Sequence, residues 1–269
     1  MTAYELDHLA IAVPAWQPAT EYLVAHLGGA WRHGFVLPEF NPCHLAFADD
    51  MRIELLAPGT DETSFIGRYL AAAGGRARPH HVTFKVKDVE ETIAAVRDNG
   101  FEPIQLRLDN EVWREGFLHP KDTGLGFLVQ FVEAEHDPGE LDSSDQFKVP
   151  KPSWLPPATV APASIPFLFG RLPEWGSARR VLVDVLGAEA TEVEKGDGWS
   201  TTRFSWEQGA DFVLTTHRGT TAGHGVEGIG VLEGDSWSAA GCRALVDAGT
   251  VVDVLGIKVV TVAHEQGDL

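Results

Sequence analysis

The chain has few cysteines, little positive charge and no long apolar run, and each shortage excludes something. Its two cysteines, Cys43 and Cys242, fall in different halves of a 269-residue sequence. That rules against a disulfide framework and fits the reduced thiols of a cytoplasmic protein. Lys and Arg number 21 against 39 Asp and Glu, a formal net charge of -18. Nucleic acid and anionic membranes need a basic excess to displace counterions, so neither is expected as a partner. An anionic substrate would need a local basic patch working against the global field. No apolar run approaches the roughly 20 residues that span a bilayer. The opening "MTAYELDHLAIAV" has no basic segment before its apolar run, and it reads as a strand rather than a signal peptide. Apolar content of 44% leaves enough material for globular cores, and the length suits two domains.

Periodicity gives the order of elements. Residues 6–13 alternate as a strand, and "WQPATEYLVAHLGG" reads as a helix stopped at Gly28-Gly29. Strand patterns follow at Ala30–Val36, Cys43–Phe47 and Arg52–Leu56. A connecting helix in "DETSFIGRYLAAAGG" leads to a second unit in the same order. That unit has strand His81–Val86, helix Asp88–Asn99 closed by Gly100, and strands near Glu102–Gln105, Val112–Leu118 and Phe127–Val132. Residues 136–163 are rich in Pro, Ser and acidic groups, and they read as a linker between domains at 1–135 and 164–269.

Beyond the linker the pattern repeats more faintly. "IPFLFGRLP" echoes "LDHLAIAVP", and "DFVLTTHRG" echoes "RIELLAPG". The expected fold is α+β, with tandem βαβββ modules and a degenerate second domain.

Four residues stand at matching places in the two units of the first half. His8 and His81 sit in the first strands, and Glu54 and Gln130 in the last. Two units packed face to face would bring them together, and imidazole nitrogens with carboxylate and amide oxygens suit a divalent first-row metal. In the second half, alignment on Pro173, Gly219 and Asp235 puts Phe167, Leu214, Gly228 and Val260 at those places. None is a ligand type, so that half is expected to hold no metal and to serve packing, pocket covering or assembly. Each ligand has an ordinary rival reading. A lone strand histidine is usually structural, Glu54 could pair with Arg52, and a buried amide can be satisfied by backbone. His80 is expected on the opposite face of its strand from His81.

The tandem units with this ligand placement resemble the vicinal oxygen chelate superfamily (glyoxalase I, extradiol dioxygenases, methylmalonyl-CoA epimerase). "LDHLAIAVP", "ELLAPGTDETS", "GGRARPHHVTFKV" and "FLHPKDTGLGFLVQF" look most like a methylmalonyl-CoA epimerase. The resemblance implies vicinal oxygen chelate domains and a metal held by His8, Glu54, His81 and Gln130. The ion would be one of Co, Ni, Mn, Zn or Fe. That family has His, Gln, His and Glu in order, so here the carboxylate and the amide have changed places. The family's other acid-base carboxylate falls at His44 of "PCHLAF". His44 and Glu54 are therefore the candidate catalytic residues, with Glu111 and Glu115 as alternative bases. The implied activity is an acyl-CoA epimerase or isomerase acting through a metal-stabilised enolate. A glyoxalase-like lyase, a ring-cleaving dioxygenase and a non-catalytic binding or resistance protein are the alternatives. Arg76, Arg78, Arg107, Lys85 and Lys121 are the candidates to bind a CoA phosphate. The expected partner is a small molecule such as a CoA thioester, and a homodimer is the assembly considered. Restoring a carboxylate at Gln130 is expected to raise α-proton exchange without loss of metal affinity.

Overall fold

A ten-residue strand beginning at Ala3 is buried on both faces although it carries Glu5, Asp7 and His8, and the first half is built around it. The computed structural model describes residues 3–61, 64–110, 112–134, 147–217, 224–233, 247 and 249–263. Glu111, Trp237, Cys242 and much of the expected linker lie outside those residues.

The first half runs β1 (Ala3–Ala12), α1 (Trp16–Leu27), β2 (Ala30–Phe35), β3 (Phe40–Ala46), β4 (Arg52–Pro58) and α2 (Phe65–Ala71). It continues with β5 (Arg78–Val86), α3 (Val89–Asp98), β6 (Ile104–Arg107), β7 (Arg114–Leu118), α4 (Pro120–Thr123) and β8 (Leu128–Glu133). The helix stops are those the sequence announces. Gly28 takes φ +66°, and the Gly28 and Gly29 amides donate back to the Val24 and Leu23 carbonyls. Asp88 caps α3 by accepting from the Glu90 and Glu91 amides.

β9 (Lys148–Val149) lies in the expected linker and pairs with β2, so part of that segment is a sheet edge. The second half runs β10 (Ser164–Leu172) and α5 (Gly176–Arg179), which continues as a wider π-type turn over Arg180–Val185. Then come β11 (Glu189–Gly196), β12 (Trp199–Ser205), β13 (Gln208–Gly209), β14 (Asp211–His217), β15 (Gly225–Glu233), β16 (Thr250–Val252) and β17 (Ile257–Ala263).

Two sheets result. The first has the order β6-β7-β8-β5-β1-β4-β3-β2-β9, with β13 added beside β1. The second has the order β11-β12-β14-β10-β15-β17-β16. The seven strands of the second match β2-β3-β4-β1-β5-β8-β7 of the first, which has β6, β9 and β13 in addition. β1 pairs parallel with β4 and antiparallel with β5, as β10 does with β14 and β15. β5 and β8 are parallel, as are β15 and β17. Even a bulge repeats. The register of β5 on β1 skips between Ala10 and Ile11, and that of β15 on β10 skips between Phe169 and Gly170. The fold is thus α+β, from tandem modules of one topology, as the sequence indicates.

One apolar core crosses from half to half. Leu9, Phe84, Phe131, Leu182, Phe204 and Phe212 belong to a single buried cluster. Phe127 packs at a tilt against Phe212, 5.4 Å between ring centres, and Phe84 against Trp206 at 4.8 Å. The second half therefore packs as an integral layer behind the first-half sheet. No helix among the described residues is long and apolar enough to cross a membrane.

Candidate metal centre

Register explains why His8, Glu54 and His81 converge. Ala10 of β1 faces Glu54 on β4 and His81 on β5 across the ladder, and His8 lies two residues along on the same face. Thr83 faces both His8 on β1 and Gln130 on β8. One patch of four adjacent strands thus presents all four residues.

The His8, Glu54 and His81 ligand atoms lie within 4.8 Å of one another, and all three residues are buried. The Glu54 Oε2 is 3.6 Å from His8 Nε2 and 3.3 Å from His81 Nε2. Bonds of roughly 2.1 Å at tetrahedral angles would set ligand atoms about 3.4 Å apart, so this donor set fits a first-row cation. Gln130 joins the patch. Its Oε1 accepts from the Thr83 hydroxyl at 2.5 Å, and the same hydroxyl lies 2.8 Å from His8 Nε2.

The electrostatics favour a charged Glu54. Burial alone would raise its pKa, but His44, His8 and His81 outweigh that and hold it well below the usual carboxylate range. His8 shows the opposite balance. Burial would lower its pKa, yet hydrogen bonds to Asp7 and Glu54 push it up to about 9. Asp7 is fully buried and holds His8 Nδ1 at 2.6 Å, which turns Nε2 toward Glu54. Lys85 and Arg52 reach the other Asp7 oxygen at 2.8 and 3.5 Å. Arg52 also pairs with Asp50 at 3.2 Å, so the alternative of Arg52 as the partner of Glu54 gives way to the three imidazoles as the groups that hold its charge.

His44 reaches the other Glu54 oxygen with Nε2 at 3.2 Å, and its buried Nδ1 has no hydrogen-bond partner. Burial holds the His44 pKa below its ordinary value. The His33 ring stacks on it at 4.5 Å.

His80 departs from the sequence expectation. The bulge leaves it as the extra residue between the Ala10–His81 and Ile11–Pro79 pairs, so alternation fails there. It is buried and lines the same cavity as His81, with the two Nδ1 atoms 2.9 Å apart. Burial and the His81 neighbour push its pKa down to about 3, which leaves a neutral ring able to fix the His81 tautomer.

These groups form one end of a cavity of about 670 Å³. Phe35, Phe40, Phe65, Trp113 and Phe117 supply its aromatic walls, and every described lining residue belongs to the first half. Of the five candidate phosphate-binding residues, Arg107 alone appears in that lining. Lys85 is spent on Glu5 and Asp7, Arg78 lies 4.3 Å over the Tyr69 ring, and Arg76 binds the Ala73 carbonyl. Lys121 sits in α4, where His119 accepts from its amide. Glu115 lines the cavity beside Gln130, whereas Glu111 is outside the described residues.

The corresponding face of the second sheet is apolar. With Phe167 in the place of His8, the registers put Val213 opposite Glu54, Gly228 opposite His81 and Val260 opposite Gln130. The alignment to Leu214 was one residue out. Leu214 belongs to the shared core, while Val213 clusters with Phe167, Phe169, Val260 and Val262. A side chain at Gly228 would meet the Phe169 ring at 2.4 Å, so the glycine makes room for the aromatic filling.

Sequence reasoning missed Asp7, Thr83 and His33, and it put His80 on the wrong face. Asp7 and Thr83 had local signals, one adjacent to His8 and one two positions past His81 on the same strand face. His33 had none.

Residues 7–116 match the glyoxalase/bleomycin resistance protein/dioxygenase superfamily. No curated protein matches the chain. The methylmalonyl-CoA epimerase of Mycobacterium tuberculosis is 29% identical over 51% of this chain and 94% of its own, with a TM-score of 0.44. A variant of the Streptomyces coelicolor methylmalonyl-CoA epimerase, solved with 2-nitronate-propionyl-CoA, is also 29% identical, over 50% of this chain and 99% of its own, with a TM-score of 0.43. A hypothetical protein from Bacillus halodurans is 28% identical over 49% of this chain and 96% of its own, with a TM-score of 0.44.

Proposed function

We propose that the first half binds one divalent first-row metal ion through His8, Glu54, His81 and Gln130. We further propose that it acts there as an isomerase moving a proton α to a carbonyl, with an acyl-CoA thioester as the first candidate substrate. The observation that carries this reading is the buried His8–Glu54–His81 triangle at the end of an aromatic-walled cavity, inside the segment that matches the superfamily.

When bound, the metal would polarise a substrate carbonyl and lower the pKa of the neighbouring proton. The chain's residues supply the rest. Asp7 and His80 fix which nitrogens of His8 and His81 face the site. Phe117 and the other aromatic residues line the cavity beside these groups. His44 is the candidate to take or return a proton; Glu54 engages its Nε2, which leaves Nδ1 as the nitrogen without a hydrogen-bond partner.

The test is deuterium exchange into methylmalonyl-CoA and related thioesters by the metal-loaded protein, read by mass spectrometry. Exchange that His44→Ala reduces at least tenfold, with metal still bound, supports the assignment. Metal bound without exchange on any thioester would remove it. The ring-cleaving dioxygenase reading would then lead, because two histidines and one carboxylate form the tight group.

A further inference from the structure

Gln130 poses a problem of orientation. An amide carries two donors on one side and an acceptor on the other, and only the oxygen is a useful ligand for a hard or borderline cation. With the nitrogen turned inward the fourth position would be lost. The side chain is buried, so its partners decide which way it faces.

Glu115 decides it. Its Oε2 accepts from Gln130 Nε2 at 2.5 Å and from Trp113 Nε1 at 2.8 Å, and Arg107 Nε lies 3.8 Å from Oε1. A carboxylate offers acceptors only, so the amide nitrogen must turn toward β7. The oxygen is left toward the His8 side, where the Thr83 hydroxyl marks its direction by donating to it. Glu115 is itself only 8% exposed and held by the indole, so it is a fixed support for the amide.

We propose that Glu115 is a positioning residue that selects the amide oxygen of Gln130 as the fourth metal ligand. It is thereby what allows this chain to carry an amide at that place. The inference rests on the metal-centre reading given above, and its test separates the two. Cobalt(II) would be titrated by calorimetry and by visible absorption into the full chain and into Glu115→Leu, Glu115→Gln, Gln130→Ala and Glu115→Leu/Gln130→Ala, with thermal unfolding as a check on folding.

Glu115→Leu is expected to lower cobalt affinity about tenfold or more, as removal of a ligand's support does. It should also shift the absorption toward that of Gln130→Ala. Glu115→Gln keeps one acceptor oxygen and should recover most of the loss. In the Gln130→Ala background, Glu115→Leu should cost nothing further, because its effect runs through the amide. An unchanged affinity in Glu115→Leu would overturn the inference while leaving the metal centre intact. So would an equal loss in both backgrounds, or lower thermal stability with an unchanged cobalt spectrum. A full chain that binds no cobalt would overturn both.

Discussion

Glu115 changes what a carboxylate at position 130 would do. In Gln130→Glu, an oxygen replaces the nitrogen that now lies 2.5 Å from Glu115 Oε2. Two unit charges about 4 Å apart in an effective dielectric of about 20 repel by about 4 kcal/mol. That repulsion favours a proton shared between the two carboxyls while the metal is absent. The new carboxyl would then have to give up that proton to ligate, which offsets the gain of a charged ligand. Gln130→Glu alone should bind cobalt(II) no better than the natural chain, and binding should release a proton measurable by calorimetry in buffers of different ionisation enthalpy. The exchanged pair, Glu115→Gln with Gln130→Glu, turns the repulsion into an amide-to-carboxylate hydrogen bond. It should bind cobalt at least tenfold more tightly than the single variant. Single and double variants of equal affinity, with no proton released when the single variant binds cobalt, would refute the reasoning.

Two other outcomes follow from the same structure. Asp7→Asn keeps the size of the residue that holds His8 Nδ1 at 2.6 Å but weakens the bond, and metal affinity should fall about 10- to 100-fold in the same titration. Phe169→Ala empties the centre of the apolar filling in the second sheet, and chemical denaturation should show a loss of about 3–5 kcal/mol with the metal stoichiometry unchanged.

The legibility of the chain varied with how local the cause was. His8, Glu54, His81 and Gln130 could be paired from sequence because each occupies the same strand position in repeated units, and strand alternation then fixes the face. Helix stops at Gly28 and caps at Asp88 are likewise local chemistry. His80 was misplaced because a bulge opposite Ala10 and Ile11 breaks the alternation, and a bulge is a property of two strands rather than one. Val213 was missed for Leu214 because the anchor at Gly219 lies beyond the end of β14, outside the described residues, and a one-residue slip exchanges the two faces of a strand. Glu115 was visible only as a carboxylate near the seventh strand. Its contact with Gln130 depends on the pairing of β7 with β8, where Gln130 faces Phe117. That Phe167 and Phe169 fill the second sheet with their rings was beyond sequence reasoning, since apolar residues there fit either a core or an empty pocket.

The central claim is a single metal centre confined to the first half. The most direct measurement is elemental analysis of the purified chain, dialysed against each of the candidate divalent ions, beside His8→Ala and His81→Ala. One equivalent per chain, lost in both variants while the fold persists by circular dichroism, is the predicted result. Two equivalents per chain, or one equivalent that survives both substitutions, would contradict it.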